Sequence, residues 1–189
     1  MSEPIIQIVP YRPEWPAEYR QIAAVLRHTV GDVIVAVHHI GSTAVPCLAA
    51  KDTIDIQITV ACLGDYSERA SERAEFELTP PVADHCPPGQ SLPAEQLAKR
   101  LYKFVTRPAN VHVREAGRFN QRYPLLCRDY LRTHKPAADA YAAIKQQLAR
   151  RFHSDPESYY AIKDPTFDLL MAGAEDWALA ARWTLPASD

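Results

Sequence analysis

Apolar and polar residues follow clear periods along most of the chain. From position 54 to 60 every second residue is a branched aliphatic and the residues between are polar, which predicts a two-faced strand over 53–60. A segment rich in β-branched and apolar residues predicts a buried strand over 33–40. Shorter segments of the same character predict three more strands, at 5–9, 101–106 and 110–114, the last two joined by a tight turn at 107–108.

Helical spacing marks the remaining segments. Trp15, Tyr19, Ile22 and Leu26 fall on one face of a helix predicted over 13–27, and a polar helix is predicted over 65–75. The proline-rich stretch 77–90 is predicted to be a loop. Proline positions and apolar spacing predict three further helices, at 118–133, 137–152 and 157–181.

The order of these elements predicts an α+β fold. Strands dominate residues 1–115 and helices dominate 116–189, so we expect a mixed β-sheet flanked by helices with a C-terminal helical layer. A chain of 189 residues without an internal repeat suits one domain over 1–189.

Charge is spread unevenly although the formal net charge is only −2. Residues 99–151 carry a net charge of +10, between segments of −7 over 1–98 and −5 over 152–189. One interpretation is that the basic segment attracts phosphates or other anions. The other is that it docks on the acidic first part of the same chain, and both remain open.

The sequence shows neither a clear targeting segment nor a cysteine motif. No stretch approaches the ~20 apolar residues of a membrane span, and the N-terminal residues do not resemble a signal peptide. The four cysteines show no CxxC or CxH spacing, which favours reduced thiols over a zinc site or a disulfide framework. We therefore expect a cytoplasmic protein with no membrane partner.

The candidate chemistry lies where the strand over 33–40 ends. Gly41 and Ser42 follow it, and Asp55 lies on the polar face of the next strand. Glycine allows a phosphate to approach the backbone, serine adds a hydroxyl and an N–H, and a carboxylate could hold Mg²⁺ against that phosphate. Alternatively, Asp55 caps a helix or pairs with an arginine.

The run HIGSTAVPCLAAKDTIDIQITV over 39–60 closely resembles the signature of the GrpB-like family of uncharacterised bacterial proteins. Further segments agree with this family in the same order along nearly the whole chain: YRPEW at 11–15, NVHV at 110–113, CRDYLR at 127–132, YAAIK at 141–145, Lys163 and Trp177.

The family is usually placed in the nucleotidyltransferase superfold. That resemblance implies a Gly-Ser motif that cradles a triphosphate, and two carboxylates at i and i+2 that bind Mg²⁺ for in-line nucleotidyl transfer. This sequence has Asp55 at the first carboxylate position but Gln57 at the second, and Asn110 and His112 where a third acid would be sought. Cys47 also stands where the family typically has glycine.

Several basic residues complete the candidate site. Arg128 and Arg132 share a helix face, and the resemblance includes Arg128, whose alternative role is pairing with nearby acids. His112 is a candidate general base or metal ligand, or else a structural histidine. The predicted catalytic residues are Asp55 and His112, Asp55 is the predicted Mg²⁺ ligand, and the predicted phosphate ligands are Gly41, Ser42, Lys51, Arg128, Arg132 and Lys145.

Three functions follow as hypotheses. The first is a nucleotidyltransferase-like protein that binds a nucleoside triphosphate or another phosphorylated ligand with Mg²⁺, with nucleotidyl transfer as an extension. The second is a catalytically inactive member of the superfold that serves as an interaction or accessory domain, for which Gln57 is the evidence. The third, less favoured, is a nucleic-acid-binding module that uses the basic segment 99–151.

Overall fold

The computed structural model describes residues 5–70, 76–80, 82–104 and 106–189. Within them, the strands are β1 (Ile34–Ile40), β2 (Ile54–Val60), β3 (Phe76–Leu78), β4 (Val82–Ala83), β5 (Ala98–Phe104) and β6 (Ala109–Glu115). The helices are α1 (Trp15–Val30), α2 (Leu63–Ala70), α3 (Phe119–Thr133), α4 (Lys135–Arg151) and α5 (Pro156–Ala181).

The strands form one mixed sheet in the order β1-β2-β6-β5-β3, and β4 pairs with β5 beside this path. β2 and β6 run parallel, whereas the other pairs are antiparallel. In the β2–β6 register Asp55 lies opposite Asn110, and Gln57 lies opposite His112. These four side chains therefore occupy the same face of the sheet, because facing residues in register point the same way. The predicted fold class is confirmed.

The opposite face of the sheet carries the main apolar core. Helix α1 buries Trp15, Tyr19, Ile22 and Leu26 against it, at the spacing that places residues on one side of a helix. The aliphatic residues of β2 that meet them are fully buried: Ile54, Ile56, Ile58 and Val60. The indole of Trp15 also donates a 2.8 Å hydrogen bond to Asp52, which satisfies its one polar group.

Helices α3, α4 and α5 form the C-terminal layer. They share a second apolar core that includes Leu126, Leu131, Tyr141, Met171 and Ala174. Helix α3 contacts β1 and β6 on the polar face of the sheet. The helical layer therefore covers the face of the sheet that carries Asp55, and a cleft lies between the helices and the sheet.

Two local predictions are wrong. Residues 5–8 form no strand, and only Val9 makes an isolated bridge, to Ala50, because Ile6 packs instead against α4 and α5 and its amide bonds to His153. The proline-rich loop predicted over 77–90 contains part of β3 and all of β4, which pair with β5.

The other boundaries shift by a few residues. The first helix runs to Val30 rather than to 27, and β5 begins at Ala98 rather than at 101. The helix predicted over 65–75 is seen as Leu63–Ala70, while 71–75 lie outside the described residues, as does position 105 of the predicted strand 101–106. Among the helices of the described residues, none has the length and apolarity needed to cross a bilayer.

The outer edge of β1 is covered by residues 186–189. The hydroxyl of Ser188 accepts from the Val37 amide at 2.9 Å, and the Asp189 amide donates to the Val37 carbonyl at 3.0 Å. The Asp189 carboxylate accepts a further 2.8 Å bond from the His39 amide. This segment therefore satisfies backbone groups that an edge strand otherwise exposes.

Candidate functional site

A cleft of about 660 Å³ lies between the polar face of the sheet and the C-terminal helices. Seven of the eight predicted site residues line it: Gly41, Ser42, Lys51, Asp55, His112, Arg128 and Lys145. The eighth, Arg132, is not part of its lining. The structure thus brings together residues that lie far apart in the sequence.

Gly41 is at the turn that leads from β1 into the cleft. Its φ is +70° and its ψ is −170°, and a Cβ placed there would be 2.5 Å from Oδ2 of Asp55. Only glycine adopts this region readily and leaves room for the carboxylate. The space we expected a phosphate to use at Gly41 is therefore taken up by Asp55, while Ser42 begins a short 3₁₀ turn, Ser42–Ala44.

Asp55 presents an ionised carboxylate to the cleft. Its Oδ1 accepts a 2.8 Å hydrogen bond from the Asn110 amide, and Nε2 of His112 lies 3.7 Å from the same oxygen. Burial raises the pKa of Asp55, but His112 and Asn110 lower it more, so that the net shift is downward. The side chain remains 30% exposed, which leaves it accessible to a ligand.

His112 is a neutral imidazole at neutral pH. Burial lowers its pKa, against the opposing effect of Asp55, and the Arg114 cation lowers it further. Its Nδ1 is buried and has no hydrogen-bond partner among the described residues. A buried Nδ1 cannot reach a ligand in the cleft, and the base role of His112 stays a prediction.

Gln57, at the second carboxylate position, is fully buried and hydrogen-bonded within the protein. Its Nε2 donates to the Gln121 carbonyl at 2.8 Å, and its Oε1 accepts from Arg114 at 2.9 Å. The predicted polar face of β2 is thus covered here rather than open. Gln57 contributes to a buried polar network and offers no free oxygen to a cation.

The two other carboxylates of the cleft, Asp84 and Asp164, are also engaged, and Asp164 accepts from Lys163. Asp84 accepts hydrogen bonds from Arg114 at 2.8 and 3.0 Å and pairs with Lys99. Burial raises its pKa, but Arg114 and Lys99 hold it far below the usual range. Asp84 and its two basic partners therefore neutralise one another inside the protein.

These contacts limit the ligands that remain for the predicted Mg²⁺. Within the described residues, no group of three His, Cys, Asp or Glu side chains could hold a metal ion. Magnesium favours octahedral oxygen ligands, and here Asp55 is the one charged oxygen donor not occupied by a basic group. The residues do not fit a two-metal site, and a single Mg²⁺ would need oxygens from a bound phosphate.

Lys145 is the most buried cation of the cleft, at 2% exposure. Its Nζ lies 2.8 Å from the Ser42 hydroxyl and 2.6 Å from the Ala49 carbonyl, and 4.6 Å from the centre of the Tyr141 ring. Burial, together with the charge of Lys163, lowers its pKa to about 7. Lys145 forms no ion pair with an acidic group of the described residues.

Two further lysines of the cleft lining surround Tyr160. Lys51 donates to the Tyr160 hydroxyl, and its Nζ lies 4.9 Å from the ring centre. Lys163 lies 5.5 Å from that centre and donates to Asp164 at 2.9 Å. In the sequence, only the family resemblance points to Lys163, and nothing points to Tyr160. No local sequence pattern predicts that either residue faces the cleft, because packing against the other helices sets the orientation of α5.

The two predicted arginine ligands bond mainly to the protein itself. Arg128, with a side chain 2% exposed, donates to Asp129 at 2.8 Å, to the His39 carbonyl at 3.0 Å and to Asp189 at 3.1 Å. Arg132 donates to the Ala44 carbonyl at 3.0 Å. Both guanidinium groups thus support the turn that carries Ser42, and their role as phosphate ligands remains a prediction.

Ion pairs within the protein neutralise several positive charges of the basic segment 99–151. Arg107 pairs with Glu18 and Asp52 of the acidic first part of the chain, as the second interpretation of the charge pattern predicts. Arg122 pairs with Glu175 of the acidic last part. These contacts leave fewer free cations outside the cleft for an extended polyanion.

Comparison with known proteins identifies relatives over most of the chain. The profile of the GrpB protein family matches residues 5–172. A dephospho-CoA kinase of Mycolicibacterium paratuberculosis is 33% identical, over 94% of this chain and 48% of its own length. The UPF0157 protein YqkA of Bacillus subtilis is 30% identical, over 91% of this chain and 48% of its own length. The chain therefore spans about half the length of these curated relatives.

A solved structure agrees with the fold. The crystal structure of conserved protein GrpB from Enterococcus faecalis superimposes with a TM-score of 0.73 at 25% identity, covering 90% of this chain and 99% of that one. The mixed sheet, the family profile and this structural match all confirm the resemblance read from the sequence. The chain belongs to the GrpB protein family.

Proposed function

We propose that the cleft binds a phosphorylated small molecule of nucleotide size. The observation that carries the proposal is the pair of lysines, Lys145 and Lys51, that line the cleft without an acidic partner among the described residues. A buried ammonium without a counter-ion is costly, and a phosphate would supply both charge and hydrogen-bond acceptors. The volume of about 660 Å³ suits a ligand of this class.

The charges of the cleft also favour one orientation of the ligand. The Ser42 hydroxyl and the three lysines Lys51, Lys145 and Lys163 supply donors to the cleft. The ionised Asp55 would repel a phosphate, so it favours a hydroxyl or amino group of the ligand, or a Mg²⁺ held jointly with phosphate oxygens. A phosphate attached to a polar, hydroxyl-bearing group matches this pattern.

Nucleotidyl transfer is not part of this proposal. The superfold performs it with paired carboxylates, and Gln57 bonds to Arg114 and Gln121 where the second would stand. This network favours, as a second candidate, an accessory domain that recognises a ligand or partner without transferring a group.

Isothermal titration calorimetry with ATP, pyrophosphate, CoA and dephospho-CoA, with and without Mg²⁺, tests the proposal. The CoA compounds are included because some relatives are named dephospho-CoA kinases. Removing a charge-assisted bond costs about 1.5–3 kcal/mol, so we expect Lys51→Met to weaken binding about tenfold or more. Lys135→Met removes an exposed lysine that pairs with Asp139 outside the cleft and should leave affinity unchanged.

Two results would refute the proposal. One is the absence of binding to every compound of the panel. The other is an equal loss of affinity in Lys51→Met and Lys135→Met, because that would indicate a response to net charge rather than to the cleft. An affinity that rises with Mg²⁺ in the wild type but not in Asp55→Asn would support the single Mg²⁺.

A further inference from the structure

The contact between Ser42 and Lys145 has the geometry of a nucleophile and its base. Their Oγ and Nζ atoms are 2.8 Å apart, within the range typical of such pairs. A third group, the Ala49 carbonyl, orients the amine through a 2.6 Å bond. The two residues are 103 positions apart, so the fold rather than local sequence creates the contact.

The contacts of Lys145 also accommodate a neutral amine. A neutral Lys145 has two N–H groups and one lone pair, and the Ala49 carbonyl can accept one of the N–H groups. The lone pair is then free to accept the Ser42 hydroxyl proton. Burial and the Lys163 charge lower the Lys145 pKa to about 7, so about half of the molecules carry the neutral form at neutral pH.

The surroundings suit an attacking hydroxyl. Gly41, with its φ of +70°, turns the chain sharply after β1, so Ser42 enters the cleft wall at the start of a 3₁₀ turn. Lys51 and Lys163 line the same cleft and can stabilise negative charge that develops on a substrate. Ser42 therefore contacts a base and shares its cleft with two further cations.

We propose that Ser42 is a covalent nucleophile and Lys145 its general base, acting on a phosphorylated compound that bears an electrophilic carbonyl carbon or phosphorus. Oγ forms the new bond to that atom while the Oγ proton moves to Nζ. The bond to the leaving group breaks with its electron pair, and the leaving group then takes the proton from Nζ. This activity goes beyond ligand binding and does not require a metal ion.

A fluorophosphonate probe tests the proposal directly. Oγ would bond to phosphorus, fluoride would leave with the P–F electron pair, and the proton would pass to Lys145. We expect intact-mass and peptide analysis to find one adduct, on Ser42, forming at least tenfold faster than any adduct on the exposed Ser91, which serves as a reference within the same chain. Ser42→Ala should abolish it.

A variant at Lys145 tests the base directly. Lys145→Arg keeps a cation but cannot accept a proton, so it should lose labelling of Ser42 at least tenfold. A thermal melt establishes that the variant is folded. Should it not fold, the wild-type labelling rate between pH 6 and pH 8 replaces it, with an expected rise of about tenfold as Lys145 loses its proton.

The proposal is overturned if Ser42 reacts no faster than Ser91, if Lys145→Arg labels at the wild-type rate, or if the wild-type rate is flat across that pH range. None of these results would bear on the calorimetric binding of phosphorylated ligands. Conversely, labelling of Ser42 without binding of any phosphorylated compound would retain the nucleophile and refute the proposed ligand class.

Discussion

Substituting Gly41 by alanine tests whether the turn is built around the Asp55 carboxylate. The backbone conformation, at φ +70° and ψ −170°, costs a residue with a side chain about 1–3 kcal/mol. The new Cβ would also lie 2.5 Å from Oδ2 and 3.0 Å from Cβ of Asp55, so the carboxylate must move. Losing its bond to Asn110 adds about 1.5–3 kcal/mol. We therefore expect Gly41→Ala to lower the free energy of unfolding by about 2.5–6 kcal/mol.

Urea denaturation at pH 7 measures this loss, and Gly117→Ala provides the matched control. Gly117 also has a positive φ, of +79°, but a Cβ there would meet nothing within 4 Å. Its substitution should therefore cost only the conformational part, about 1–2 kcal/mol. If the two variants lose the same stability, the close approach of Asp55 to Gly41 does not constrain the turn, and the reasoning is wrong.

Three further predictions concern buried groups. Gln57→Asp should lower stability by about 1–3 kcal/mol in urea denaturation without any gain in Mg²⁺ affinity by calorimetry, because it leaves the Gln121 carbonyl without its donor. Relative to Lys145→Met, the wild type should gain stability from pH 7 to pH 10, by at most about 1.4 kcal/mol per pH unit. The reason is that the unfolded lysine keeps its proton up to about pH 10.5, whereas folded Lys145 releases it near pH 7. Burial raises the pKa of the Cys127 thiol to about 12, so at pH 8 a thiol reagent should modify the exposed Cys47 quickly and Cys127 only after unfolding.

Periodicity predicted the elements that bury an apolar face. The alternation over 53–60 correctly placed Asp55 and Gln57 on the face opposite the aliphatic core, and the helical spacing from Trp15 onward predicted α1. The short strands β3 and β4 were missed because they pair only with β5 beside prolines, where neither alternation nor length gives a signal.

The partners of polar residues could not be predicted, because they depend on contacts distant in sequence. Gln57 was identified as a departure from the carboxylate pattern, yet its bonds to Arg114 and Gln121 span 57 and 64 residues. Arg128 was predicted as a phosphate ligand with pairing to nearby acids as the alternative, and its bonds to the His39 carbonyl and Asp189 could not be read from spacing. Charge and spacing indicate which residues can bind an anion, but packing decides which of them remain unoccupied.

The cover that residues 186–189 provide along β1 affects how copies of the protein can associate. An open strand edge invites a strand of another molecule to extend the sheet. Here the amide and carbonyl of Val37 and the amide of His39 already bond to Ser188 and Asp189. Intermolecular sheet growth at this border would first have to displace that segment, which would also remove Asp189 from the buried Arg128 and leave that guanidinium paired with Asp129.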